Sequence, residues 1–251
     1  MVKKPRRARE KSGSGIYHIM LRGINRQRIF EDDEDRNCFI ETLQRYKEKS
    51  GYTIYAYCLM DNHIHLLMKE GEEPLGMAFK RIAGSYVYWY NWKYGRSGHL
   101  FQDRFKSEPV EDDGYFLTAL RYIHQNPVKA GICQKVDQYE YSSFKEYITK
   151  PICVDTSFAL SLLPKEEFLK FHSEENDDTC LELEVSLRLT DSEAKGIIAN
   201  LTNCFNFAEF QVLDKGARNL YIQQLYSLGL SIRQITRLTG ISKKIVEQNI
   251  G

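Results

Sequence analysis

Residues 52–69 hold two runs rich in aromatic and β-branched or other apolar residues, YTIYAYCLM and HIHLLMK, separated only by Asp61-Asn62. Two such runs across a two-residue turn form an antiparallel hairpin. A chain containing it must build a sheet and bury at least one face of that sheet. Strand alternation sends His63 and His65 to one side, and Ile64, Leu66 and Met68 to the other, towards a core. Two imidazoles on neighbouring same-face positions are half of a metal site. A bare HxH fits the solvent face of an antiparallel sheet better, since the motif is short and frequent by chance.

The flanking sequence supplies the rest of the layout. IYHIMLRG reads as a strand. DEDRNCFIETLQRYKEKSG reads as a helix, with acids in its first turn, an apolar face of Cys38, Phe39, Leu43 and Tyr46, and Gly51 past its end. A second, aromatic-rich helix begins near Pro74, a further strand lies within HLFQDRFKSEPVED, and DGYFLTALRYIHQNPVKAG is a third helix limited by Pro127. The order strand, helix, strand, strand, helix, strand, helix predicts an α+β fold. We expect a ferredoxin-like antiparallel sheet with its helices on one face.

Charge divides the chain. Net charge is +1, yet residues 1–150 carry 25 Lys and Arg against 20 Asp and Glu, and residues 151–251 carry 10 against 14. The opening MVKKPRRAREK suits phosphate contact or a solvated tail, and residues 1–13 are read as a basic arm. Residues 14–150 form the main domain. Residues 151–184 are read as an acidic connector, because PKEEFLKFHSEENDDTCLELE (164–184) holds eight acids and two lysines. Residues 185–251 are a small all-α domain. Within it, LGLSIRQITRLTGISKKIVEQN has the layout of a helix-turn-helix, or of a generic two-helix corner. Ile232, Ile235 and Leu238 share one face, Gly240 makes the turn, and Ser242 can cap the next helix. Six scattered cysteines include no CxxC, which argues against a zinc knot or a disulfide framework. No apolar run reaches the ~18–20 residues of a membrane span, and no signal-peptide core opens the chain. A cytoplasmic protein is expected.

In the third helix Tyr122 and Asn126 are four apart and share a face. The phenol could be a nucleophile and the amide oxygen a metal ligand. Tyr122 could equally pack in the core, with Asn126 capping the helix. His124 lies off that face, and no general base is evident.

Four segments, GIYHIMLRGINRQRIF, YAYCLMDNHIHLL, GRSGHLFQDRFKS and RYIHQNPVKAG, followed by YEYSSFKEY, cover roughly residues 14–148. In content and order they resemble the HUH-type single-tyrosine transposases, and within these the REP-associated tyrosine transposases. The resemblance implies a HUH fold, with His63 and His65 as the paired metal ligands, Asn126 as a third ligand and Tyr122 as the catalytic nucleophile. It implies Mg²⁺ or Mn²⁺ as cofactor, although imidazole favours softer metals. It further implies a substrate of single-stranded DNA with a hairpin, such as a repetitive extragenic palindrome, cleaved and rejoined through a 5′-phosphotyrosine.

Arg22, Arg26, Arg28, Arg104 and Lys106 are candidates for backbone contacts to DNA, and Arg233, Arg237, Lys243 and Lys244 for duplex contacts by the C-terminal domain. Tyr86, Tyr88, Trp89, Tyr90 and Trp92 could stack unpaired bases, though at least two must pack against the sheet. Two other readings stand beside this one. A nicking enzyme of replication-initiator or relaxase type uses the same chemistry, but RYIHQNPVKAG speaks against it. A non-catalytic helix-turn-helix regulator would have no use for Tyr122. Both a monomer and a homodimer remain open.

Overall fold

The computed structural model describes residues 9–181 and 191–250, which divide into two compact units with a boundary at Glu182–Leu183. The expected arm 1–13 lies outside the described residues except for 9–13, as do 182–184 of the expected connector.

The first unit opens with β1 (Ile16–Arg22) and continues through α1 (Asp33–Ser50), β2 (Thr53–Met60), β3 (His63–Lys69), α2 (Leu75–Lys93), β4 (Lys106–Pro109) and α3 (Asp113–Lys129). Helix α1 starts where Asp32 accepts from the Asp35 N–H in a reciprocal capping box, and stops at Gly51, whose φ of 66° is the left-handed cap that glycine adopts without strain. The hairpin turn is Asp61-Asn62, with Met60 opposite His63. The turn is held from outside: the N–H groups of Gly23 and Ile29 donate to the carbonyls of Asn62 (2.9 Å) and Asp61 (2.7 Å), and Arg36 pairs with the Asp61 carboxylate. The four strands form an antiparallel sheet in the order β2-β3-β1-β4, as the split βαβ pattern predicts.

One expectation about the sheet is overturned. Its helices do not lie on one face. Ladder partners share a face, so His18, Met20 and Arg22 of β1 stand with Leu67, His65 and His63 of β3, while Ile19 and Leu21 stand with Leu66 and Ile64. His18, His65 and Leu67 are fully buried on the first face, and Ile19, Ile64 and Leu66 on the second. Helix α3 covers the histidine face: its Tyr122 ring packs edge-on against His18 and His65, and its Tyr115 hydroxyl donates to Glu108 of β4 (2.6 Å). Helices α1 and α2 pack on each other, where Tyr86 meets Phe39 edge-on. The second face is buried in one core with Phe39 and Leu43 of α1 and Phe79 and Ile82 of α2, the second cover that a sheet apolar on both faces needs.

Pro127 does not limit α3, which runs on to Lys129. The ring costs one backbone hydrogen bond, and the last turn recovers others as the Ala130 and Ile132 N–H groups donate to Asn126 and Pro127 carbonyls, each at 2.9 Å. Asn126 is therefore an interior helical residue and not a cap.

The connector is also corrected. After α4 (Phe144–Ile148), residues 151–181 include α5 (Ser157–Leu162) and α6 (Lys165–Ser173), which join the first unit's core through Cys153, Val154, Ala159 and Phe168. Arg121 of α3 pairs with Asp178 at 2.7 Å. Asp178 is half-buried in that pair, whereas Glu166, Glu167, Glu174, Glu175 and Asp177 lie exposed on the outside of packed elements.

The second unit contains α7 (Asp191–Thr202), α8 (Phe207–Gln211), α9 (Lys215–Ser227), α10 (Ile232–Thr239) and α11 (Lys243–Ile250), around Ala194, Ile198, Phe210, Ile222, Leu225, Ile235 and Val246. Ser231 and Gln234 form a capping box at the start of α10. Gly240, with φ of 69°, ends it and opens a three-residue turn into α11.

Candidate active site

Strand β3 and helix α3 bring the four sequence-predicted chemical residues together. The His63 Nε2 lies 3.3 Å from the Asn126 Oδ1, and the Asn126 Nδ2 lies 3.5 Å from the His65 Nε2. The Tyr122 ring centroid is 5.6 Å from that of His65, and the Lys129 ammonium, two turns further along α3, is 5.1 Å from the Tyr122 ring. Tyr122 is 2% exposed, while His63 and Asn126 are half-buried, so the site opens to solvent on the side of those two residues.

Each histidine is held through its other nitrogen. His63 Nδ1–H donates to Asn62 Oδ1 (2.7 Å), since an amide oxygen only accepts. His65 Nδ1 lies 3.0 Å from Nε2 of His18. Burial pushes His18 down from 6.5 to about 3 and holds His65 well below the usual histidine value, with repulsion from His18 and His63 adding to the effect on His65. Both rings are neutral at physiological pH, the form that ligates metal.

The donor set accommodates a cation. A neutral imidazole has one N–H, yet both ring nitrogens of His63 face amide oxygens, of Asn62 and Asn126. A divalent ion among His63 Nε2, His65 Nε2 and Asn126 Oδ1 would match the lone pairs gathered there, with water or phosphate oxygens filling its other positions. Among the described residues no three His, Cys, Asp or Glu gather as a metal site, so the amide oxygen is needed as the third donor.

The cationic candidates separate. Arg22 is the ladder partner of His63 and lies beside it on the same face, half-buried, with its Nε buried and without a partner. Burial and the nearby Arg26 lower its pKa from the ordinary arginine value. Lys106 ends the row Cys58–His65–Met20–Lys106 across the sheet and is exposed. Arg26 and Arg28 project from the loop after β1, Arg28 paired with Asp61 at 3.3 Å, and Arg104 is exposed in the loop before β4. Of the aromatic run in α2, Tyr86 and Tyr90 are core, whereas Tyr88 and Trp92, one turn apart, are 79% and 74% exposed. In the second unit Arg233, Arg237, Lys243 and Lys244 are all exposed; Arg237 pairs with Asp191, and Lys243 with Glu247 at 3.0 Å.

Sequence reasoning missed His18 and saw Asn62 only as a turn residue. The period-two signal was present in IYHIMLR, where His18 and Arg22 share a face, but the strand gave no way to tell which neighbour His18 would meet.

Comparison with known proteins gives the family. Residues 11–126 match the family model "Transposase IS200 like". A Haemophilus influenzae protein named as a REP-associated tyrosine transposase is 30% identical over 151 residues, which cover 54% of this chain and 83% of that protein. The structure of a REP-associated tyrosine transposase bound to a REP hairpin superposes with a TM-score of 0.52 at 18% identity, covering 72% of this chain and 96% of the other, a likeness of fold. A Deinococcus radiodurans transposase structure matches more loosely, with a TM-score of 0.33 at 17% identity over 55% of this chain and 97% of that one. The class is thus the IS200-like transposases, DNA-processing enzymes. Within it, the chain belongs to the REP-associated tyrosine transposase family.

Proposed function

We propose that this protein cleaves and rejoins hairpin-bearing single-stranded DNA through a covalent bond to Tyr122. The observation that carries this reading is the convergence of His63 Nε2 and His65 Nε2 on the Asn126 amide, with the Tyr122 ring against His65. His63, His65 and Asn126 would hold a Mg²⁺ or Mn²⁺, which would supply Lewis acidity at the scissile phosphate. The Tyr122 oxygen attacks phosphorus and loses its proton as the P–O3′ bond breaks. The products are a 5′-phosphotyrosine and a free 3′-OH. A second 3′-OH reverses the exchange and joins strands without ATP. Arg22, beside His63, contacts the phosphate at the reaction centre. Arg26, Arg28, Arg104 and Lys106 line the DNA backbone, and Tyr88 and Trp92 offer faces on which unpaired bases stack. The hairpin is proposed by analogy with the hairpin-bound relative.

For the second unit, we infer duplex contact through Arg233, Arg237, Lys243 and Lys244. The capped α10, the Gly240 turn and α11 have helix-turn-helix spacing and support that reading.

The test is a strand-cleavage and rejoining gel with a labelled hairpin oligonucleotide drawn from the DNA flanking the gene. Cleavage that needs Mg²⁺ or Mn²⁺ and disappears in Tyr122→Phe and His63→Ala is expected. Tight binding with no cleavage in either metal would favour a regulator instead.

A further inference from the structure

We propose that His18 is the positioning residue of the site: its Nε2 accepts the Nδ1–H of His65, and so fixes the tautomer and ring orientation that aim the His65 Nε2 at Asn126. The proposal rests on the reading of His65 as a metal ligand. The two rings touch through one contact, His18 Nε2 to His65 Nδ1 at 3.0 Å, with centroids 5.2 Å apart, and both are fully buried. That contact holds a single proton. If His18 donated it, the lone N–H of a neutral His65 would sit on Nε2, where no metal could bind. If His65 donates it, Nε2 presents a lone pair. This agrees with the Asn126 Nδ2, a donor, facing His65 Nε2 at 3.5 Å.

The same choice puts the proton of His18 on its Nδ1, which is buried without a hydrogen-bond partner. Buried polar atoms are rarely left unmatched, and the exceptions gather where a function requires them. His18 also meets Tyr122 edge-on, with centroids 5.8 Å apart, so one ring braces a ligand and the nucleophile together. Asn62 does the corresponding work for His63 through its side-chain oxygen. Metal-binding histidines in general depend on such partners, and losing one weakens metal affinity about 10–100-fold.

Two measurements decide this. The first is the long-range ¹H–¹⁵N spectrum of the histidine rings in the metal-free wild type, with His65 assigned by substitution. The expected result is Nδ1–H with a bare Nε2; an Nε2–H tautomer overturns the proposal. The second is Mn²⁺ titration followed by electron paramagnetic resonance on the full chain. His18→Leu should bind about 10–100-fold more weakly than wild type. His18→Asn, whose amide oxygen can accept the same N–H, should recover most of that loss. Unchanged Mn²⁺ affinity in His18→Leu removes this proposal alone. A wild type that takes up no Mn²⁺ removes the metal reading, and the proposal with it.

Discussion

Tyr122 and Asn126 occupy one face of α3, a turn apart, and the sheet beneath presents His63 and His65 to that face. Because the Tyr122 ring is packed on His18 and His65, Tyr122→Phe keeps the apolar contact and removes only the oxygen. We expect its melting temperature to stay within a few degrees of wild type and its hairpin affinity to hold, while strand cleavage falls by roughly a thousandfold or more, as when a nucleophile is deleted. A calorimetric scan and a binding isotherm beside the cleavage assay check this. Asn126→Ala should leave Tyr122 in place but raise the Mn²⁺ concentration needed for half-maximal cleavage by about tenfold or more, because two imidazoles then act without the amide oxygen. The shared faces of Tyr122 with Asn126 and of His63 with His65 were legible from helix and strand periods, while the roles proposed for them came from the family resemblance. His18 was not legible, since its partner lies on another strand and only the register brings the two rings together.

The elements around the site are tied by a hydrogen-bonded relay that crosses three of them. The Tyr57 N–H donates to Ser143 Oγ (2.9 Å), which reaches His124 Nε2 (2.9 Å); His124 Nδ1 meets His172 Nε2 (3.0 Å), and His172 Nδ1–H donates to the Phe168 carbonyl (2.9 Å). The relay joins β2, α3 and α6 through groups buried from water, and each ring uses one nitrogen as an acceptor. Burial lowers His172 to about 4 and His124 well below its ordinary value, His172 adding to the effect on the latter. A depressed histidine leaves the unfolded chain binding more protons than the folded one, so stability is full above pH 6.5 and falls as pH drops from there towards 4. His172 alone should lower the unfolding free energy by about 2 kcal/mol between pH 7 and pH 5. Urea melts at the two values test this, and His172→Phe should reduce the difference by about that amount, His18, His65 and His124 keeping their own share. The hairpin and α1 were readable from alternation, caps and turns, and the element order pointed to the antiparallel sheet. Helix α6 was not: its core side is little more than Phe168 and His172, four apart, and acidic composition hid that pair.

For the molecule as a whole, the boundary falls at the end of the acidic stretch, at Glu182–Leu183, and not before it. A chain ending at Glu182 should fold and cleave like the full protein, whereas one ending at residue 150 loses Phe168 and His172 from the core and should melt well below it. Circular dichroism melts of the two truncations separate these outcomes. Replacing Arg233, Arg237, Lys243 and Lys244 together by Ala should weaken duplex binding and flatten its salt dependence by up to about 3–4 in log–log slope, leaving hairpin cleavage in place. Titrations at several salt concentrations read that slope. Beneath all of these stands the claim that Tyr122 forms the bond to DNA. Mass spectrometry of the protease-digested protein, after incubation with hairpin single strand and Mn²⁺, tests it most directly. The account predicts a peptide containing Tyr122 heavier by a 5′-phosphorylated oligonucleotide, absent from His63→Ala. Cleaved DNA with no adduct, or an adduct on another residue, would contradict it.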